Sequence, residues 1–217
     1  MRGKKAKLAG LALIGGGLVV LAWTALVWAW RDPVTSVYTM LEQRRLADRF
    51  EALAADPRLS AARSGHVGAA ARRLRARVAP GDPIGRLRID RLDLDVVVVE
   101  GTDDASLKKG PGRDRRSSFP GEGDLVYVAG HRTTYLAPFA RIDDLRHGDR
   151  VELEMPYGTF VYEVAGARVV GGHDLSVLRR NGREMLRLQA CHPRFFATRR
   201  YVVSARFLHR TRPGHSA

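Results

Sequence analysis

The sequence predicts a mainly β domain, a small barrel or sandwich, carried on a membrane-spanning helix and a stalk. Three observations predict it. Residues 8–30 run for 23 positions without a charge, the chain after residue 80 breaks into short strand-like runs, and glycines punctuate those runs. A length of 217 residues holds one ordinary domain plus an appendage, since domains run to roughly 100–200 residues, and excludes a long multidomain assembly. With 45% hydrophobic and 28% charged residues, wholesale disorder is excluded. The one cysteine, Cys191, excludes an intramolecular disulfide and a cysteine-rich zinc or iron–sulfur site.

Residues 1–7 form a basic tail with Arg2, Lys4, Lys5 and Lys7, and residues 8–30 follow as the transmembrane anchor. At ~1.5 Å rise per residue a helix of this length crosses a hydrocarbon layer of about 30 Å. Trp23, Trp28 and Trp30 gather toward its far end, where amphipathic rings favour the interface. The positive-inside rule keeps the tail in the cytoplasm and sends the rest of the chain outside. A cleaved signal peptide is the competing reading. Its apolar region is shorter, roughly 7–15 residues, and ends in small residues, whereas this run ends in Val-Trp-Ala-Trp.

Residues 31–80 read as a stalk. Apolar residues at 34, 37, 38, 41, 46, 50 and 53 give a loose helical period, and the ARRLRAR run at 71–77 gives a basic face. The expectation is a solvated linker, with attraction to anionic lipid or wall polymer as a secondary role. Residues 1–80 carry 14 basic and 5 acidic side chains, net +9 of the total +14. A basic balance suits nucleic acid as well as anionic envelope. An extracellular setting and the lack of an interleaved aromatic platform argue against nucleic acid.

Residues 81–210 form the folded domain and 211–217 a tail. Strand candidates are 84–89, 96–99, 125–128, 151–153, 160–170, 186–189 and 201–208, several alternating with period two. Seven or eight strands in about 130 residues imply a barrel or sandwich.

Cys191 ends the strand-like run LRLQA and precedes His192-Pro193, which sets a thiol at a sheet rim. A lone cysteine is also often a small buried hydrophobe. A reactive thiol needs a partner that favours the thiolate, most often imidazole. His192 is adjacent, but successive side chains of an extended segment point to opposite faces. His131 directly follows the apolar run DLVYVAG and takes a weak preference on spacing alone. His147 and His173 read as turn and loop residues, and His66, His209 and His215 as solvated ones. A cation for an oxyanion is available from Arg194, Arg199 or Arg200, all close after Cys191. Each reads equally as a surface arginine.

Four segments in order, PIGRLRIDRLDLDVVVVEGTD at 83–103, LKKGPG at 107–112, GDLVYVAGHRTTYLAPFARIDDLRHGD at 123–149 and LRLQACHPRFFATRRYVVSARF at 186–207, resemble a sortase of class E. The resemblance implies an eight-stranded sortase-type β-barrel, mainly β, acting as a cysteine transpeptidase. His131 in AGHRTTY matches the family's catalytic histidine, Cys191 its nucleophile, and Arg200 the arginine before the final strand. The family cleaves a C-terminal sorting signal between Thr and Gly, forms a thioacyl enzyme and passes it to a cell-wall or pilin amine. Class E is associated with an LAXTG-type signal. Its partners are therefore sorting-signal-bearing secreted proteins and an amine acceptor, with no nucleic acid, no cofactor and no metal. Thr133 and Tyr135 are candidates for contacting the signal, or for packing the loop. The family pattern TLxTC reads Arg187-Leu188-Gln189-Ala190-Cys191 here, so both threonines are replaced. A water-resolved cysteine peptidase and a non-catalytic envelope-binding module are the rival readings.

Overall fold

The computed structural model describes residues 2–30, 33–60 and 67–211. His66, His215 and the tail after residue 211 lie outside the described residues. The helices are α1 (Arg2–Trp30), α2 (Pro33–Ala54), α3 (Pro57–Ser60), α4 (Val67–Arg75) and α5 (Asp104–Leu107). The strands are β1 (Pro83–Ile89), β2 (Leu94–Glu100), β3 (Gly112–Arg113), β4 (Leu125–Ala129), β5 (Arg150–Met155), β6 (Gly158–Gly171), β7 (Met185–His192) and β8 (Arg199–Thr211).

The eight strands close a barrel in the order β1-β2-β3-β4-β7-β8-β6-β5. Closure removes the free edges that a short-stranded sheet would otherwise expose. Two of its contacts are parallel, β2 with β3 and β4 with β7. The seven sequence-predicted strands are all present; β3 is the one they lack. It is two residues long, and Gly112 permits it, because a Cβ there would sit 1.9 Å from the Gly101 carbonyl oxygen.

Period-two alternation builds the interior. In β5 the inward set is Val151, Leu153 and Met155, and in β7 it is Leu186, Leu188 and Ala190. β4 is buried on both faces. Val126 and Val128 enter the main core, while Leu125, Tyr127 and Ala129 form a second cluster with Val177 and Val202. That second cluster lies on the barrel's outer wall, roofed by the 3-10 turn Leu175–Leu178 of the β6–β7 connection.

α1 contains a stretch, Ala6–Ala25, long and apolar enough to cross a membrane, and none of it is buried in the protein. The segment expected as a solvated linker instead packs on the barrel over much of its described length. Leu46 and Phe50 of α2 bury against Val97 and Val99, and Leu59, Ala70, Ala71 and Leu74 join the main core. The Gln43 side chain accepts from Val97 N at 2.7 Å and donates to Val97 O at 3.0 Å and Lys109 O at 2.8 Å. It thus pairs with β2 where the short β3 does not reach.

Candidate active site

β4 and β7 run parallel, so their C-terminal ends reach the same rim of the barrel. Their last registered pair is Ala129 with Gln189, and two residues further on stand His131 and Cys191. On the other side of β7, Cys191 lies directly opposite Arg200 of β8. Directly opposite residues hold their Cβ atoms roughly 4.5–5.5 Å apart. His131, Cys191 and Arg200 all line one cleft of about 360 Å³. Its floor is Tyr127, Ala129 and Gln189, and its wall includes Leu175, Val177 and Leu178 of the roofing turn.

Gly130 makes the rim possible. A Cβ there would stand 2.7 Å from the Phe139 ring, which packs beneath the turn carrying His131. The loop beyond is held in uncommon backbone geometry, with Tyr135, Leu136 and Ala137 at φ of 52°, 60° and 41°. Left-handed conformations cost non-glycine residues energy and persist only where surroundings hold them. Here Phe139 N donates to His131 O at 3.0 Å, Ala137 N to Thr134 O at 2.8 Å, and Tyr135 N to the Thr35 hydroxyl of α2 at 3.2 Å. The Tyr135 ring lies 5.0 Å from the His131 ring.

Burial pushes the His131 imidazole below its ordinary value of 6.5, Asp104 partly offsets this, and Lys108 adds to it. The neutral ring is therefore favoured at rest. Its Nε2 is buried without a hydrogen-bond partner. Tyr127 donates to the Gln189 side-chain amide oxygen on the cleft floor, and burial raises the phenol's pKa so that it remains a donor.

Arg200 is partly exposed, and one Nη donates to the carbonyls of Ala197 at 2.7 Å and Arg199 at 2.9 Å. Among the described residues its other N–H groups make no hydrogen bond, which leaves them for a ligand. Arg194 donates instead to the Ala140 carbonyl, and Arg199 opens β8 opposite His192. His192 stands apart from the cleft-lining residues, its Nδ1 3.0 Å from an Nη of Arg132.

Thr133 and Tyr135 are both absent from the cleft lining, although Tyr135 touches His131. His173, read from the sequence as a loop residue, does line the cleft, as do Asp104 and Arg116. Sequence reasoning also missed Arg132. It is buried, pairs with Asp143 at 2.6 Å and donates to the Cys191 carbonyl at 3.3 Å, so it fixes the backbone that carries the thiol. Its only signal in the sequence is adjacency to His131. Ala190, which replaces a family threonine, points into the core on the face opposite Cys191. Among the described residues no group of three or more His, Cys, Asp or Glu side chains gathers as a metal-ligand set.

A family model described as a sortase domain matches residues 87–208, more than half of the chain. Sortase D of Bacillus subtilis strain 168 is 33% identical over 127 residues, which are 57% of this chain and 63% of that protein. The chain thus spans under two thirds of that relative. A Clostridium perfringens sortase D5 transpeptidase shares the fold at a TM-score of 0.65 and 22% identity, covering 77% of this chain and 99% of that one. Sortase E1 from Streptomyces coelicolor, solved with a tripeptide in its active site, superposes at a TM-score of 0.57 with 26% identity, covering 61% of this chain and 92% of that one. The likenesses therefore straddle classes D and E. With the family match across the barrel, and a free thiol at the rim of an eight-stranded closed sheet, this chain belongs to the sortase family.

Proposed function

We propose that this chain is a membrane-anchored transpeptidase with Cys191 as nucleophile, His131 as general acid–base and Arg200 as oxyanion partner. The observation that carries the reading is the convergence of those three side chains, from three separate chain segments, on one cleft. The buried neutral imidazole of His131 takes the thiol proton, and the Cys191 thiolate attacks the Thr carbonyl carbon of a sorting signal. Negative charge then builds on the carbonyl oxygen beside the Arg200 guanidinium. The His131 imidazolium gives its proton to the departing glycine amine as the C–N bond breaks, leaving a thioester on Cys191. An acceptor amine attacks that thioester, His131 removes its proton, and the thiol is restored.

The signal is of the LAXTG type that accompanies class E. The acceptor is a cell-wall precursor or pilin amine, and the clients are secreted proteins bearing the signal. α1 anchors the chain with its N-terminus in the cytoplasm and the barrel outside, as the basic residues before the span direct.

Mass spectrometry of the protein incubated with LAXTG and LPXTG peptides tests this. A mass increase on Cys191 equal to the acyl fragment is expected, discharged to an amide product when an amine acceptor is added. Cys191→Ala is expected to retain the fold and lose both adduct and product. Full turnover in that variant would refute the assignment of the nucleophile. Release of free acid regardless of added amine would support the water-resolved peptidase instead.

A further inference from the structure

Outside the cleft a second hollow of about 400 Å³ lies on the barrel's outer face. Arg168 of β6, Ser176, Arg179 and Asn181 of the β6–β7 connection, and Arg187 of β7 line it. Three of the five are guanidinium groups and none is a carboxylate. Among the described residues Arg168, Arg179 and Arg187 enter no ion pair, whereas Arg86, Arg88, Arg91, Arg113, Arg116 and Arg206 each do. Asp174 feels the charge of Arg168 and Arg179, but its carboxylate accepts from Ser176 N at 2.8 Å.

Arg187 is the most constrained of the three. One of its Nη groups donates to the Val177 carbonyl, while its Nε–H is buried and has no partner among the described residues. Nearly all buried donors in folded proteins are hydrogen-bonded, so this one has bonding capacity left for a ligand. Burial and the neighbouring Arg168 both disfavour its positive charge. An anion in the hollow relieves that repulsion and supplies the acceptor.

We propose that this hollow binds a phosphate group between Arg168, Arg179 and Arg187, with the Asn181 amide as a further donor. Guanidinium forks donate in parallel pairs to oxyanions, and three of them serve the several oxygens of a tetrahedral phosphate better than the two of a carboxylate. The site is separate from the reaction centre. Arg187 stands four positions before Cys191 on β7, about 13 Å at ~3.3 Å per residue. It is nonetheless tied to the cleft, because Val177, whose carbonyl Arg187 holds, lines the cleft wall. A lipid headgroup and a soluble phosphate ester offer the same chemistry.

The full chain in an uncharged detergent, labelled with 15N, reports on the site through its arginine Nε–H resonances, with that of Arg187 assigned by its loss in Arg187→Lys. Inorganic phosphate is expected to shift this resonance saturably, against chloride and acetate at matched ionic strength. The double variant R168Q/R179Q is expected to weaken the response about tenfold, the order expected when charge-assisted hydrogen bonds are removed. R72Q/R73Q, which removes the same charge from α4, leaves it unchanged. Phosphatidylglycerol doped into the micelle that saturates the shift at lower concentration than inorganic phosphate identifies a lipid headgroup as the source. A response to inorganic phosphate without one to the lipid identifies a soluble ester. An equal shift with chloride or acetate, no shift at all, or equal weakening in R72Q/R73Q would overturn the proposal.

Discussion

The Nε2 atom of His131 is buried and makes no hydrogen bond, so its protonation depends on desolvation more than on a partner. Its pKa in the folded protein lies below the ordinary 6.5, and the unfolded chain therefore binds more protons in the window beneath that value. Stability contributed by keeping this ring neutral is present above pH 6.5 and is lost as the pH falls toward the folded-state pKa. A titration of the imidazole carbon-bound protons by NMR is expected to put the His131 midpoint below 6.5. His131→Asn is expected to lose less stability than the unaltered protein between pH 7 and pH 5, measured by denaturant unfolding. A midpoint at or above the ordinary value would contradict the burial argument. At this scale the sequence was readable where chemistry restricts residue type. The thiol, as the chain's one cysteine, stands out, whereas His131 competes with His192 and Arg200 with Arg194 and Arg199, and the family resemblance chooses between them. Arg132 could not be picked out, because its partners Asp143 and the Cys191 carbonyl are distant in sequence and carry no pattern. The replacement of threonine by Ala190 also changes meaning once the pleat is seen. The side chain faces the core, so no hydroxyl is removed from the cleft.

Between residue and barrel, the weakest element by length is β3, and the strongest polar contact in the core holds it. Arg113 donates to both carboxylate oxygens of Glu100 on β2, at 3.0 and 2.5 Å, with side-chain exposures of 1% and 4%. The same guanidinium donates to the Asp114 and Ser117 carbonyls and lies 4.0 Å from the Phe119 ring centroid. A two-residue strand gains little from its own ladder, so the ion pair and the glycine approach define where β2 hands over to β4. Removing one partner of a buried pair leaves the other charge uncompensated, which costs about 3–5 kcal/mol. Glu100→Ala is therefore expected to lower unfolding free energy by that order in a denaturant titration, whereas Arg206→Ala, whose pair with Glu163 is largely exposed on the arginine side, changes it by under about 1 kcal/mol. Similar losses in both would show that the buried pair has no special role. Periodicity cannot reveal an element of two residues, and a buried ion pair looks in sequence like two surface charges. The longer strands were legible because several carry their own alternation and others, such as β4, a continuous apolar run between turn residues.

For the whole molecule, the decisive contact is between the segment after the apolar helix α1 and the barrel. The docking stripe of α2 is Thr39, Gln43, Leu46 and Phe50, spaced by three and four as one helical face requires. Two of its members are polar, so a search for hydrophobic period sees only half of it. Val37, Tyr38 and Leu41, which helped suggest a loose helix, are exposed. Thr39 donates to the Lys108 carbonyl at 2.9 Å and Gln43 completes the β2 ladder, so the polar members act through backbone groups that no sequence pattern marks. Leu46, Phe50, Leu59 and Leu74 are each nearly or fully buried, and burying such a side chain contributes roughly 1.5–3 kcal/mol. Their removal uncovers Val97 and Val99 and opens the main core under α4. The Thr35 contact to Tyr135 would go with them, releasing the loop that carries His131. A chain beginning at residue 81, the expected domain start, is thus predicted to melt at least about 10 °C below one beginning at residue 33, given ~2–4 °C per kcal/mol for a domain of this size. Gln43→Ala in the longer chain is expected to fall between them, since it strands Val97 N–H and two carbonyls without emptying the core. Calorimetry on the three proteins decides it. Equal melting temperatures would mean that the barrel is self-sufficient and the helices merely rest on it.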